Sequence, residues 1–264
     1  MGHTRLGSIP KTQKWRDVVA LLSPASPEPD RLLDIAFIAD RTLTAAETGL
    51  ANSCNDPGLG YTFYLLSQLV LAARSPDWSS KLANLGIRLT DEASIFDLSA
   101  GIQDAIDDYV SRTGGATDVS EIAQQAAGEA VIELAGTTTG SLFGAGADDL
   151  KAALQGLSTK KGFATVGRRF FSRFIARFLN FYLSRITAGL AGSSTMQHVG
   201  DITRFNDALG LHCYQSARIV EQFCGEWYSK TEFQEGIDLF NSARFVAVAI
   251  HKLKSELQGQ RSES

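Results

Sequence analysis

Apolar residues recur along this chain at three- and four-residue intervals, and no run of alternating β-branched residues competes with that period. The pattern predicts helices throughout. Lys14–Leu22 forms a short first helix, ended by the Pro-rich stretch 23–29. Asp30 then caps a helix to about Asn52. The Asn55-Asp56-Pro57-Gly58 cluster reads as a turn, and a strongly apolar helix follows over Tyr61–Ala73. Ser79–Leu85 is brief. Ala93–Arg112 is longer, with Phe96, Leu98, Ile102, Ala105, Ile106, Tyr109 and Val110 as its expected buried face. Asp118, with Glu121 three residues on, reads as the cap of a helix to Leu134. Gly136–Gly146 is a loop by composition. Asp148–Leu157 is helical, and Ser158 or Thr159 caps a long helix to about Ala188. Two more follow, His198–Tyr228 and Glu235–Leu257, joined by a turn at Ser229–Glu232; the tail from Gln258 is polar.

The expectation is therefore an all-α protein, an irregular multi-helix bundle of about eight to ten helices. It forms a single all-helical domain over 1–264, compact or bilobed about a boundary near 113–117, where the turn Thr113-Gly114-Gly115-Ala116 lies. A hydrophobic content of 44% in 264 residues supplies a sizeable core. Three cysteines, odd in number and widely spaced, fit a reducing cytoplasm. Met1–Asp17 lacks the apolar core of a signal peptide, and no stretch has the length and apolarity of a transmembrane helix.

Charge alters the picture at one place. Between Asp149 and Asp201 there is no acidic residue, yet Lys151, Lys160, Lys161, Arg168, Arg169, Arg173, Arg177 and Arg185 all lie there. The whole chain has 25 Lys and Arg against 29 Asp and Glu, so removing these cations leaves 17 against 29. On a helical wheel Arg169, Arg173 and Arg177 form one stripe, with Asn180 and Ser184 below. Phe170, Phe171, Phe174, Phe178, Phe181 and Tyr182 cover most of the other side, and Arg185 points into that apolar arc. Four readings compete: a core helix with a salt-bridged edge, a contact helix for a protein partner with an acidic surface, a nucleic-acid-binding helix, and a membrane-surface helix. The core reading has base rates on its side. Against base stacking, the aromatics face away from the arginines. Candidate binding residues are Arg169, Arg173, Arg177, Lys160 and Lys161.

Asp97, Asp104 and Asp108 form an acidic row on the Ala93–Arg112 helix and are the internal candidate to face the arginine stripe. A row on one helix is a poor hard-metal site, because such sites draw ligands from several elements. Chemistry elsewhere is sparse. His212 adjoins Cys213, and neighbours on a helix diverge by about 100°, so they form no nucleophile–base pair. Arg204 and His212 lie eight residues apart, longer than the Arg…His spacing of helical ribonucleases. Gly140–Gly146 lacks the Gly-Lys-Ser/Thr of a phosphate loop, and no zinc-type spacing occurs. No catalytic residue, metal or cofactor is assigned.

Two aromatic stretches close the inventory: Gly7–Asp17, around Trp15, and Phe223–Phe233, with Trp227 and Tyr228. Both read as packing devices or as contact surfaces. They resemble uncharacterised bacterial all-helical proteins, a resemblance that implies no chemistry. The reading taken from the sequence is a non-enzymatic interaction subunit of a bacterial multi-protein assembly. A nucleic-acid binder, a membrane-active effector in a cell-defence setting, a homo-oligomer and an enzyme using Asp104 or His212 stay open beside it.

Overall fold

The structure, a computed structural model, describes residues 8–23, 34–139, 146–193, 196 and 198–259. Among them the chain is all-helical, with twelve helices rather than eight to ten, and an isolated bridge between Ala191 and Met196. They are α1 (Gln13–Leu22), α2 (Ile35–Ala45), α3 (Glu47–Ser53), α4 (Pro57–Ala72), α5 (Trp78–Asn84), α6 (Ile95–Thr113), α7 (Asp118–Thr139), α8 (Ala147–Leu157), α9 (Lys160–Gly189), α10 (Val199–Ser216), α11 (Arg218–Gln234) and α12 (Leu239–Gly259).

Two expected helices are each divided. The segment before Asn52 breaks at Ala46 into α2 and α3, and Asp34 caps α2 by accepting from the Phe37 N–H at 3.0 Å. The expected cap at Asp30 lies outside the described residues. His198–Tyr228 breaks at the fully buried Ala217, where the Val220 N–H turns back to the Ala217 carbonyl. Cys213 and Cys224 thus sit on different helices. The Ser229–Glu232 turn is instead helical; the chain reverses at Glu235–Asp238, where Gly236 takes a φ of +76° that disfavours other residues.

Caps explain most of the other boundary differences. Asp56 accepts from the Leu59 N–H at 2.9 Å and Pro57 fills the first helical position, so the Asn-Asp-Pro-Gly cluster opens α4. Thr117 caps α7, exchanging bonds of 2.9 Å with Ser120, and Asp118 is already helical. The α7 helix also runs on through Gly136 to Thr139; residues 140–145 of the expected loop lie outside the described residues. Of the two caps the sequence offers α9, Ser158 and Thr159, it is Thr159 that accepts from the Gly162 N–H, at 3.0 Å.

The axis of the molecule is α9. Its 30 residues give about 45 Å of helix, and α1, α2, α7, α8, α10 and α11 all pack on it. A second spine, α4, is buried along most of its length and packs on α5, α6, α7, α8 and α12. The two spines meet through aromatic rings. Phe63 of α4 has its ring centroid 5.8, 5.9 and 5.4 Å from Phe163, Phe170 and Phe171 of α9, and 5.5 and 5.1 Å from Trp227 and Phe245. Burying such rings removes the largest apolar areas in the chain from water. The apolar arc of α9 is core, and Trp15 and Tyr228 are core with it. The buried cluster is continuous on both sides of 113–117, from Trp15 to Leu257.

Candidate interaction surfaces

The polar edge of α9 faces α7. Arg169, Arg173 and Arg177 are one turn apart, as are Glu129 and Glu133, so two rows of matching period lie side by side. Arg169 and Arg173 each reach Glu133 at 3.0 Å; Arg173 also reaches Glu129 at 4.0 Å, and Arg177 pairs with Glu129 and Gln125. The side chains are partly covered, Arg169 at 20% exposure and Glu133 at 33%. Partial burial and mutual sharing make this network worth more than isolated surface pairs. The acidic row of α6 is not the partner. Asp97 closes a capping box with Ser94, which holds its carboxyl below the usual range; Asp108 pairs with Arg112 in its own helix at 3.3 Å; Asp104 is exposed. Phe96, expected inside, is 42% exposed on the same helix.

At the start of α9, Lys160 reaches Glu226 at 3.1 Å and Lys161 is exposed. The Glu226 carboxylate offsets a cation placed against the positive end of the helix dipole. Arg168 pairs with Glu221 at 2.7 Å, and the guanidinium carbons of Arg168 and Arg169 lie 4.0 and 4.2 Å from the Tyr214 ring centroid. Arg185 escapes burial: it is exposed. Of the five candidate binding residues, Arg169, Arg173, Arg177 and Lys160 are thus tied into the fold, and Lys161 is displayed with no such tie among the described residues.

The candidates for chemistry are scattered. His212 is half-buried, its Nε2 lacks a partner, and burial pushes its pKa down against the pull of Asp34. Arg204 is exposed and pairs with Asp201. Burial raises the Cys213 thiol to about 12 and Cys224 further still, so neither is a ready thiolate. Among the described residues no group of His, Cys, Asp and Glu converges as metal ligands do. A groove of about 340 Å³ opens between α7, α9 and α10, with Glu121, Gln125, Arg177, Asn180 and Asp207 in its walls. The amide oxygens of Asn180 and Asn206 have no hydrogen-bond partner, but both are closed to solvent and so do not face a molecule in the groove.

One surface feature escapes the periodicity argument. Phe233, at the end of α11, is 90% exposed, and Phe240, at the start of α12, is 70% exposed. They stand on either side of the Glu235–Asp238 reversal. Full burial of a phenylalanine is worth roughly 1.5–3 kcal/mol, and this fold forgoes most of it twice at one corner. The aromatic stretch Phe223–Phe233 gave a hint, but nothing in it separates Phe233 from the half-buried Trp227 and the fully buried Tyr228.

These features define an all-helical bundle protein with an arginine stripe paired to glutamates of the same chain and two exposed phenylalanines flanking one helix reversal. No protein-family model, curated protein or solved structure matches the chain. No described helix is long and apolar enough to cross a membrane.

Proposed function

We propose that this protein is a non-enzymatic helical interaction subunit of a multi-protein assembly, working in the cytoplasm. The observation that carries the reading is the exposure of Phe233 and Phe240 at the α11–α12 corner. Two large apolar side chains left exposed on either side of one helix reversal make it the candidate contact point. The contact surface is therefore moved from the basic helix to this corner. Arg169, Arg173 and Arg177 already hold Glu129 and Glu133, so an acidic partner or a phosphate chain would have to compete with carboxylates in place. The apolar face of α9 would have to leave the core to meet a membrane.

Purification of the protein at native abundance, followed by mass spectrometry and light scattering, tests the reading. A stoichiometric companion protein is expected, and it is lost when Phe233→Ser and Phe240→Ser are combined. A monodisperse monomer with nothing attached overturns it. A homo-oligomer that persists in the double variant overturns the corner as its contact.

A further inference from the structure

Helix α10 buries an arc made by Phe205, Leu209, Cys213 and Ser216. His212 rises inside that arc, three residues after Leu209 and four before Ser216. Its ring Nε2 is closed to solvent and has no hydrogen-bond partner. A neutral imidazole tolerates this, because its hydrogen can sit on the other ring nitrogen and leave Nε2 a bare acceptor. An imidazolium does not. It carries an N–H at both nitrogens, whichever of them took the proton, so a charged N–H at Nε2 would point where there is no acceptor.

Helix α10 packs on α2, α9, α11 and α12, and the charged group that acts on the ring is Asp34, at the start of α2. Burial keeps a proton off the ring more strongly than Asp34 draws one on, so His212 titrates below the ordinary 6.5. Asp34 is itself committed, since its carboxylate caps α2 by accepting from the Phe37 N–H at 3.0 Å. Other charges of these helices have partners of their own. Arg168 and Arg169 of α9 lie over the Tyr214 ring, Glu221 of α11 pairs with Arg168, and Lys254 of α12 pairs with Glu47. On α10 itself Arg204 pairs with Asp201 and Asp207 is exposed, as is His251 on α12.

We infer that the contact between α2 and α10 is an acid-sensitive latch, closed while the His212 ring is neutral and loosened when it takes up a proton. The proton forces a choice. The imidazolium must leave the buried arc for water, or it must draw the Asp34 carboxylate away from the Phe37 N–H. Either movement frees the first turn of α2 from α10. The direction with pH is fixed by the same facts. The folded chain refuses a proton that the unfolded chain accepts, so the stability held in this contact is full above 6.5 and falls as the pH drops through 6.5 toward the lower folded value. The latch is a device of the fold itself and operates without the partner of the interaction-subunit reading.

The test is an NMR titration of the full chain, with the histidine rings assigned by triple resonance, read beside amide hydrogen exchange corrected for the intrinsic effect of pH. His212 should titrate below 6.5 and below the exposed His251. Asp34→Asn keeps a capping side chain but removes the charge, so it should move the His212 midpoint further down. Between about pH 7 and about pH 5.5, exchange at the Phe37 amide and in α10 should quicken roughly threefold or more in the unaltered protein. In His212→Gln, which cannot take up the proton, it should stay flat. A His212 midpoint at or above 6.5, a midpoint unmoved by Asp34→Asn, or exchange that does not follow the titration of the ring each overturns the latch. Quickening that persists in His212→Gln also overturns it, assigning the response to acid to a carboxylate. Should His212→Gln fail to fold, the unaltered protein and Asp34→Asn decide the question between them.

Discussion

Two guanidinium groups converge on Glu133, and their dependence on it differs. The Arg169 side chain is 20% exposed and its Nε has no partner, whereas Arg173 is 43% exposed and also reaches Glu129. Removing the Glu133 charge therefore strands Arg169 more than Arg173. Glu133→Gln should lower stability by about 1–2 kcal/mol, between the values for exposed and for buried pairs. Asp104→Asn, on the exposed row that seemed the natural counterpart, should stay within about 0.5 kcal/mol. Urea unfolding midpoints compare the two; equal effects would remove the special standing of the α7–α9 network. The identity of Arg169, Arg173 and Arg177 as one stripe was legible in the sequence, because helical period alone sets it. Their partner was not. Glutamates at 129 and 133 and aspartates at 97, 104 and 108 are equally good acidic rows by spacing, and only the packing order of helices chooses between them.

At the scale of elements, the crossing of α9 and α11 depends on two glycines. A Cβ at Gly167 would come within 3 Å of the Cys224 Sγ and to 3.1 Å from its Cβ; one at Gly225 would come within 3 Å of the Lys160 carbonyl oxygen. Alanine ordinarily stabilises a helix interior over glycine by roughly 0.5–1 kcal/mol. Here the overlap should win, and each substitution should cost about 1–3 kcal/mol. The two should differ in rescue. Adding Cys224→Ala to Gly167→Ala removes the sulfur and should recover part of the loss, while Gly225→Ala meets backbone and gains nothing from it. A thermal-melt double-mutant cycle with no coupling at the first pair would contradict this account of the crossing. The sequence signals helix existence well here and helix continuity poorly. Breaks at Ala46 and Ala217 carry no glycine or proline, and alanine favours helix, so local composition does not mark them; both alanines are buried. The Asn-Asp-Pro-Gly cluster misleads in the other direction, because the residues that make turns also make helix caps.

The whole molecule is organised around rings contributed by distant segments. Phe63, Phe163 and Phe245 belong to three helices and to one buried cluster that spans the candidate boundary near 113–117, and Trp227 of a fourth helix packs against it. Calorimetry should accordingly show a single cooperative transition for the full chain, with calorimetric and van't Hoff enthalpies in agreement. Two resolved transitions would mean a bilobed protein divided at that turn. By itself the sequence determined the all-α class, a cap for α9 at Ser158 or Thr159, the amphipathic division of that helix and the scarcity of catalytic spacing. All of these follow from local period and local hydrogen bonding. Tertiary structure decided which acidic row neutralises the arginines, that Trp15 and Tyr228 are core, and that Phe233 and Phe240 are left outside. Helical period gives a side chain's angle about its own axis, but burial depends on whether another helix occupies that direction, and distant parts of the chain supply that helix.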